Sequence, residues 1–152
     1  MIRRRLYTAV AAVLVAAAAH GLAQEARAQE AGAKETTDSV SLELNKLEAS
    51  DKGCRAYIVV SNPSNTAFDA YKLDLVMFQT DGIIGRRFAL DLAPLRPSKR
   101  TVKLFDLDGV KCDDIGSFLI NEVMECRSDA GPVEDCLSRT SVSSLTKVEI
   151  TK

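Results

Sequence analysis

Tyr71-Lys72-Leu73-Asp74-Leu75-Val76-Met77-Phe78 is the stretch that decides the fold. Tyr71, Leu73, Leu75 and Met77 alternate with Lys72 and Asp74, the period of a strand with one face turned inward. Val76 and Phe78 thicken its far end, which predicts burial on both faces there. Asp81-Gly82 follows as a hairpin signal. Beyond it Ile84, Arg86, Phe88, Leu90 and Leu92 share one face, with Arg87, Ala89 and Asp91 on the other. A loop over residues 94–98 leads to a further strand. There Val102 and Leu104 alternate with Thr101, Lys103 and Phe105, and Asp108-Gly109 ends it.

The same rhythm holds in both directions. Upstream, Val40, Leu42 and Leu44 can line one face, Asp51-Lys52-Gly53 turns the chain, and residues 54–60 are rich in β-formers. Asn62-Pro63-Ser64-Asn65 stops that strand, because proline offers no N–H to a ladder. Downstream, residues 115–126 admit two readings. Ile115, Leu119 and Val123 recur every four residues as on a helix, whereas Phe118 and Ile120 alternate as on a strand. Gly116 weakens a helix, and the neighbouring rhythm favours the strand. Val148 and Ile150 mark a last strand. Short strands, frequent turns and no long helical pattern predict an all-β, antiparallel sandwich over residues 39–152 rather than an α/β fold.

Four cysteines, Cys54, Cys112, Cys126 and Cys136, would brace such a domain with two disulfides in an oxidising compartment. Three pairings are possible. Ser128-Asp129-Ala130-Gly131-Pro132 is suited to turning the chain back, which favours Cys126–Cys136 and leaves Cys54–Cys112. A four-cysteine zinc site would need closely spaced C-x₂₋₄-C pairs, and the sequence has none.

Val60-Ser61-Asn62-Pro63-Ser64, the alternating strand ending in Asp81-Gly82, and Leu92-Ala93-Pro94-Leu95 together resemble immunoglobulin-like domains of exported bacterial proteins. From Cys54 to Cys136 the chain is also similar to uncharacterised exported proteins of Gram-negative bacteria, often labelled only by a twin-arginine signal. The resemblance implies an immunoglobulin-like sandwich and brings no functional residues. The core tryptophan of antibody-type domains is missing.

The N-terminal 28 residues have the order of a cleavable signal peptide: Arg3, Arg4 and Arg5, an uncharged stretch over 6–19, and Ala26-Arg27-Ala28 as a small-x-small site ending at Ala28. Gly21-Leu22-Ala23 is the alternative site, ending at Ala23. As a helix the apolar stretch spans ~21 Å, short of the ~30 Å hydrocarbon core, so no stable membrane anchor is expected after cleavage. Both the general secretory and the twin-arginine routes suit this segment. Residues 29–38 read as a flexible polar tail. The expected location is the periplasm or the medium.

Of 20 basic and 21 acidic residues, four basic and one acidic leave with the signal, so 16 and 20 remain and the net charge is near −4. That balance argues against nucleic-acid binding. The single histidine, His20, also leaves, removing imidazole from nucleophilic catalysis and from metal ligation. No cofactor motif and no catalytic or metal site is expected. Asp106-Leu107-Asp108-Gly109 has the flavour of a calcium loop, but Val110 and Lys111 stand where an EF-hand needs a ligand and glycine. Arg86, Arg87, Arg96, Lys99, Arg100 and Lys103, with only Asp91 among them, could form an anion-binding patch for an envelope polymer. Strand alternation sends Arg86 and Arg87 to opposite faces. The leading expectation is a non-catalytic binding or assembly module with an envelope protein or anionic polymer as partner, using loops or an exposed strand edge. The alternatives are a carboxylate hydrolase of cell-wall sugar, needing two of Asp106, Asp108, Asp113 and Asp114 in one cleft, and a purely structural envelope protein.

Overall fold

The alternation of apolar residues becomes two β-sheets in the computed structural model, which describes residues 39–152. The signal segment, both candidate cleavage sites and the polar tail lie outside the described residues. The first sheet has the order β5 (Lys99–Asp108), β2 (Gly53–Asn62), β1 (Val40–Ser50), β8 (Thr140–Ser144). The second has β4 (Ile84–Asp91), β3 (Phe68–Gln79) and β6 (Ile115–Ser128). Along the far edge of β6 lie β9 (Glu149–Thr151), beside Ser117 to Leu119, and β7 (Gly131–Pro132), beside Arg127 and Ser128.

One core fills the space between the sheets. Val40, Leu42, Leu44, Ala56, Ile58, Val60 and Leu107 from the first meet Tyr71, Leu73, Leu75, Met77, Leu90, Phe118 and Ile120 from the second. Each fully buried side chain of this kind contributes about 2 kcal/mol relative to exposure. At one side the rings of Phe88 and Phe105 lie 4.8 Å apart between β4 and β5. There Arg86 Nη1 donates to Asp108 O at 2.8 Å, and Lys103 Nζ to Ala93 O at 3.0 Å.

Residues 115–126 are strand, with no helical turn. Gly116 serves a close approach: a Cβ there would sit 2.4 Å from Gln79 O. Cysteines join as Cys54–Cys112, with Cα atoms 4.9 Å apart, and Cys126–Cys136, 6.5 Å apart. These are the pairs that the turn before Cys136 favours.

Three details depart from the sequence reading. The sheets are not wholly antiparallel: β8 runs parallel to β1 and β9 parallel to β6. The last segment starts in the first sheet, turns at Ser144, where Oγ donates to Val148 O at 2.7 Å, and ends in the second. Ile84 does not share a face with Arg86, because the ladder slips at Gly85 (Met77 opposes Arg86, Phe78 opposes Ile84) and Ile84 is exposed. A Cβ at Gly85 would meet Met77 Cε at 2.6 Å, so a larger residue at the bulge would make the Met77 side chain shift. Finally, the inward face of β5 carries Thr101, Lys103, Phe105 and Leu107, and Val102 and Leu104 point to solvent. Apolar residues stand on both parities of β5, and pairing of Ala56 with Phe105 and Cys54 with Leu107 chooses between them.

Candidate functional site

An antiparallel ladder uses every second residue of a strand toward each neighbour. In β1, Leu44 O accepts from Leu145 N at 2.9 Å, and β8 covers Val40 to Leu44. A bulge at Asn45 then shifts the parity. From there Lys46, Glu48 and Ser50 face β2, and Leu47 and Ala49 turn their N–H and C=O toward the side that β8 has left. No strand among the described residues takes that edge.

A depression of about 720 Å³ lies along this open edge, lined among others by Leu47, Ala49, Val110, Lys111, Cys112 and Asp113. A hollow of about 330 Å³ shares Leu47, Cys112 and Asp113 and extends to Thr146, Lys147 and Val148. Cys112 and Asp113 line both, from the short 3-10 turn Cys112–Asp114 that the Cys54–Cys112 bridge ties to β2. Backbone groups without a partner among the described residues therefore border a depression whose lining mixes apolar residues (Leu47, Ala49, Val110) with charged ones (Asp51, Lys52, Lys111 and Asp113). On the outer face of the same strand Lys46 pairs with Glu48 at 2.5 Å, and Tyr57 Oη donates to Glu48 at 2.6 Å. The Lys46 ammonium, and then the Tyr57 hydroxyl, hold the Glu48 carboxyl below the usual carboxylate range, and Glu48 in turn raises both partners. The sequence reading of β1 stops at Leu44, and continuing its alternation would put Lys46 and Glu48 inward; only the parity shift at Asn45 makes Leu47 and Ala49 the next inward pair.

Among the described residues β6 has a second stretch without a ladder partner, between β9 and the bond that Val133 N donates to Cys126 O. A depression of about 350 Å³ borders it, lined by residues 122–126 and 133–137 beside the Cys126–Cys136 bridge.

The six basic residues of the candidate anion patch are dispersed. Arg87 lies on the outer face of the second sheet, its Nε 2.6 Å from Asp74 Oδ1. Arg100 lies on the outer face of the first sheet, 3.5 Å from Glu43. Arg86 and Lys103 bridge β4, β5 and the loop between them through the carbonyl contacts above. Arg96 and Lys99 are exposed near the start of β5, with no ion pair among the described residues. The four acids of the hydrolase reading are separated too. Asp106 is held by Arg55 across the β2–β5 ladder at 2.7 and 3.2 Å, which lowers its carboxyl, and Asp113 is the one of the four that lines the depressions beside β1. No three His, Cys, Asp or Glu side chains among the described residues converge as metal ligands.

Sequence reading did not single out Asp74 as a functional residue. It sits centrally on the outer face of β3 yet is only 3% exposed, because Arg87 from β4 and Asn121 from β6 (Nδ2 at 2.8 Å) close over it. This arrangement is saturated, with both carboxylate oxygens occupied by its own chain.

No family model, no curated protein and no solved structure matches this chain. Two disulfides require an oxidising environment outside the reducing cytoplasm. Among the described residues no helix is long and apolar enough to cross a membrane.

Proposed function

We propose that the chain is an exported, periplasmic binding or assembly module with an immunoglobulin-like sandwich, which recognises an extended segment of an envelope protein by strand addition to β1. The observation that carries this reading is the stretch of β1 after Asn45, where backbone groups without a partner among the described residues border a 720 Å³ depression. Strand addition draws affinity from main-chain hydrogen bonds and specificity from pockets for alternate side chains. Here the depression beside Leu47 and Ala49 would take an apolar side chain from the added strand. The immunoglobulin-like reading is supported by the order β1-β2-β5 against β4-β3-β6, with the chain crossing between sheets after β2, β4 and β5.

The test follows from the alternation of the ladder. Ala49 has an N–H that β2 does not use, so Ala49→Pro removes the donor offered to a guest strand and takes none from the β1–β2 ladder. Wild-type and A49P baits are immobilised and exposed to envelope extract, and bound protein is quantified. A partner held by the wild type and lost from a folded A49P bait is the expected result. Equal recovery on the two baits, or recovery on neither, would sink the reading.

A further inference from the structure

We propose that β5 is a self-association edge, through which two copies of this chain pair antiparallel about Lys103. This surface is distinct from the open stretch of β1 and does not depend on it. β5 ends the first sheet, and no strand among the described residues pairs with its far side over ten residues. Long edges of this kind are where β-proteins associate, and the charges that β5 carries leave open only a partner whose own charges match them.

The backbone limits the possible registers. Asp108 O accepts from Arg86 and so faces away from β2, and the β2–β5 ladder runs without a bulge from Gly53↔Asp108 to Asn62↔Lys99. By alternation Arg100, Val102, Leu104 and Asp106 also direct N–H and C=O to the free side. Their side chains lie on the outer face, where Val102 and Leu104 are 55% and 56% exposed. An antiparallel copy must set outward groups against outward groups, so near the middle of the strand the dyad falls at Val102, Lys103 or Leu104.

Side-chain chemistry selects among the three. A dyad at Val102 sets Arg100 against the partner's Leu104, and one at Leu104 sets Val102 against the partner's Asp106. A dyad at Lys103 sets Arg100 against the partner's Asp106 and Val102 against the partner's Leu104, so both exposed apolar residues are covered and both ends are charge-matched. Within one copy Asp106 already binds Arg55 and Arg100 already reaches Glu43. Each end of the interface then reads Glu43, Arg100, the partner's Asp106, the partner's Arg55, alternating in sign throughout. The two Lys103 side chains at the dyad lie on the inner face and are drawn toward Ala93 O of their own copies. The product is one eight-stranded sheet with four strands from each copy.

Sedimentation velocity over a concentration series tests this with Arg100→Asp and Asp106→Arg, each checked for folding by far-UV circular dichroism. The wild type should show a concentration-dependent monomer–dimer equilibrium. Each single variant sets like charges together at both ends and should weaken it by about tenfold. An equimolar mixture should recover wild-type association, because an all-acidic edge then meets an all-basic one. Should either charge variant fail to fold, Leu104→Glu at an exposed position must likewise dissociate the dimer. A wild type that stays monomeric, single variants that associate normally, or a mixture that does not recover would each overturn the proposal.

Discussion

A carboxylate in the middle of an outward strand face is ordinarily left to water, but Asp74 is enclosed by its neighbours. Its position opposite Ala89 on β4 and Glu122 on β6 lets Arg87 and Asn121 reach one oxygen each. Arg87, and after it Asn121, hold the carboxyl below the usual carboxylate range. The sign of the linkage follows. The folded value is lower than the unfolded one, so the stabilisation is complete above about pH 4 and is lost as the pH falls through the lowered folded value. Thermal unfolding midpoints recorded from pH 7 down to pH 2 should therefore drop on the acid side, and Asp74→Asn should flatten that drop. Asp106 and Glu48 are shifted in the same direction but sit exposed, where salt screens them. The part of the acid limb that survives at 1 M salt should be the part that D74N removes. An unchanged acid limb in D74N would show that the arginine and the amide do not favour the ionised form.

At the scale of elements, the turn between β2 and β3 shows what can be read from sequence and what cannot. Asn62-Pro63-Ser64-Asn65 announces a turn, and the amide of Asn62, 1% exposed, builds it. Its Nδ2 donates to Thr66 O at 2.7 Å and Arg96 O at 3.1 Å, and its Oδ1 accepts from Ser64 N and Oγ. Asn62→Ala removes every bond that this buried amide makes and should cost about 3 kcal/mol, read as a lower guanidinium midpoint at unchanged slope. A change within 0.5 kcal/mol would mean that water replaces the amide without penalty. The longer strands were legible, because the period-two pattern is local, but β7 (Gly131–Pro132) and β8 (Thr140–Ser144), short and with Val142 and Pro132 as their only apolar side chains, carry no such pattern and were not read. Strand face was not always so: in β5 both parities carry apolar residues, and the choice depends on β2, a partner distant in sequence. Bulges at Asn45 and Gly85 invert parity within a strand, so the Leu47–Ala49 edge and the exposure of Ile84 escape a simple alternation count. The dispersed basic residues fail for a related reason, since neighbours in sequence occupy opposite faces of different sheets.

For the whole molecule, the two bridges differ in the loops they close, with separations of 58 residues for Cys54–Cys112 and 10 for Cys126–Cys136. Chain entropy assigns about 4 kcal/mol to the long loop and about 3 kcal/mol to the short one. A domain of this size has a net stability of about 5–15 kcal/mol, so the bridges together carry a share comparable with the whole margin. The long bridge also fixes the 3-10 turn whose Cys112 and Asp113 line the β1 depression, and the short one ties β6 to the segment leading into β8. Replacing both cysteines by alanine should therefore lower the guanidinium midpoint in either case, and more for Cys54 with Cys112 than for Cys126 with Cys136. The fully reduced and alkylated chain should lose its cooperative transition, or keep it only near the stability maximum at low temperature. If the short bridge proved the more costly to remove, loop entropy would not be what these disulfides supply, and local packing around Tyr71 would be the alternative. There the hydroxyl donates to Thr140 Oγ1 at 2.6 Å, and Thr140 donates to Cys136 O at 2.7 Å. Tyr71→Phe, which leaves both bridges intact, would then reproduce much of that loss, whereas under the entropic account it removes one hydrogen bond worth about 1 kcal/mol.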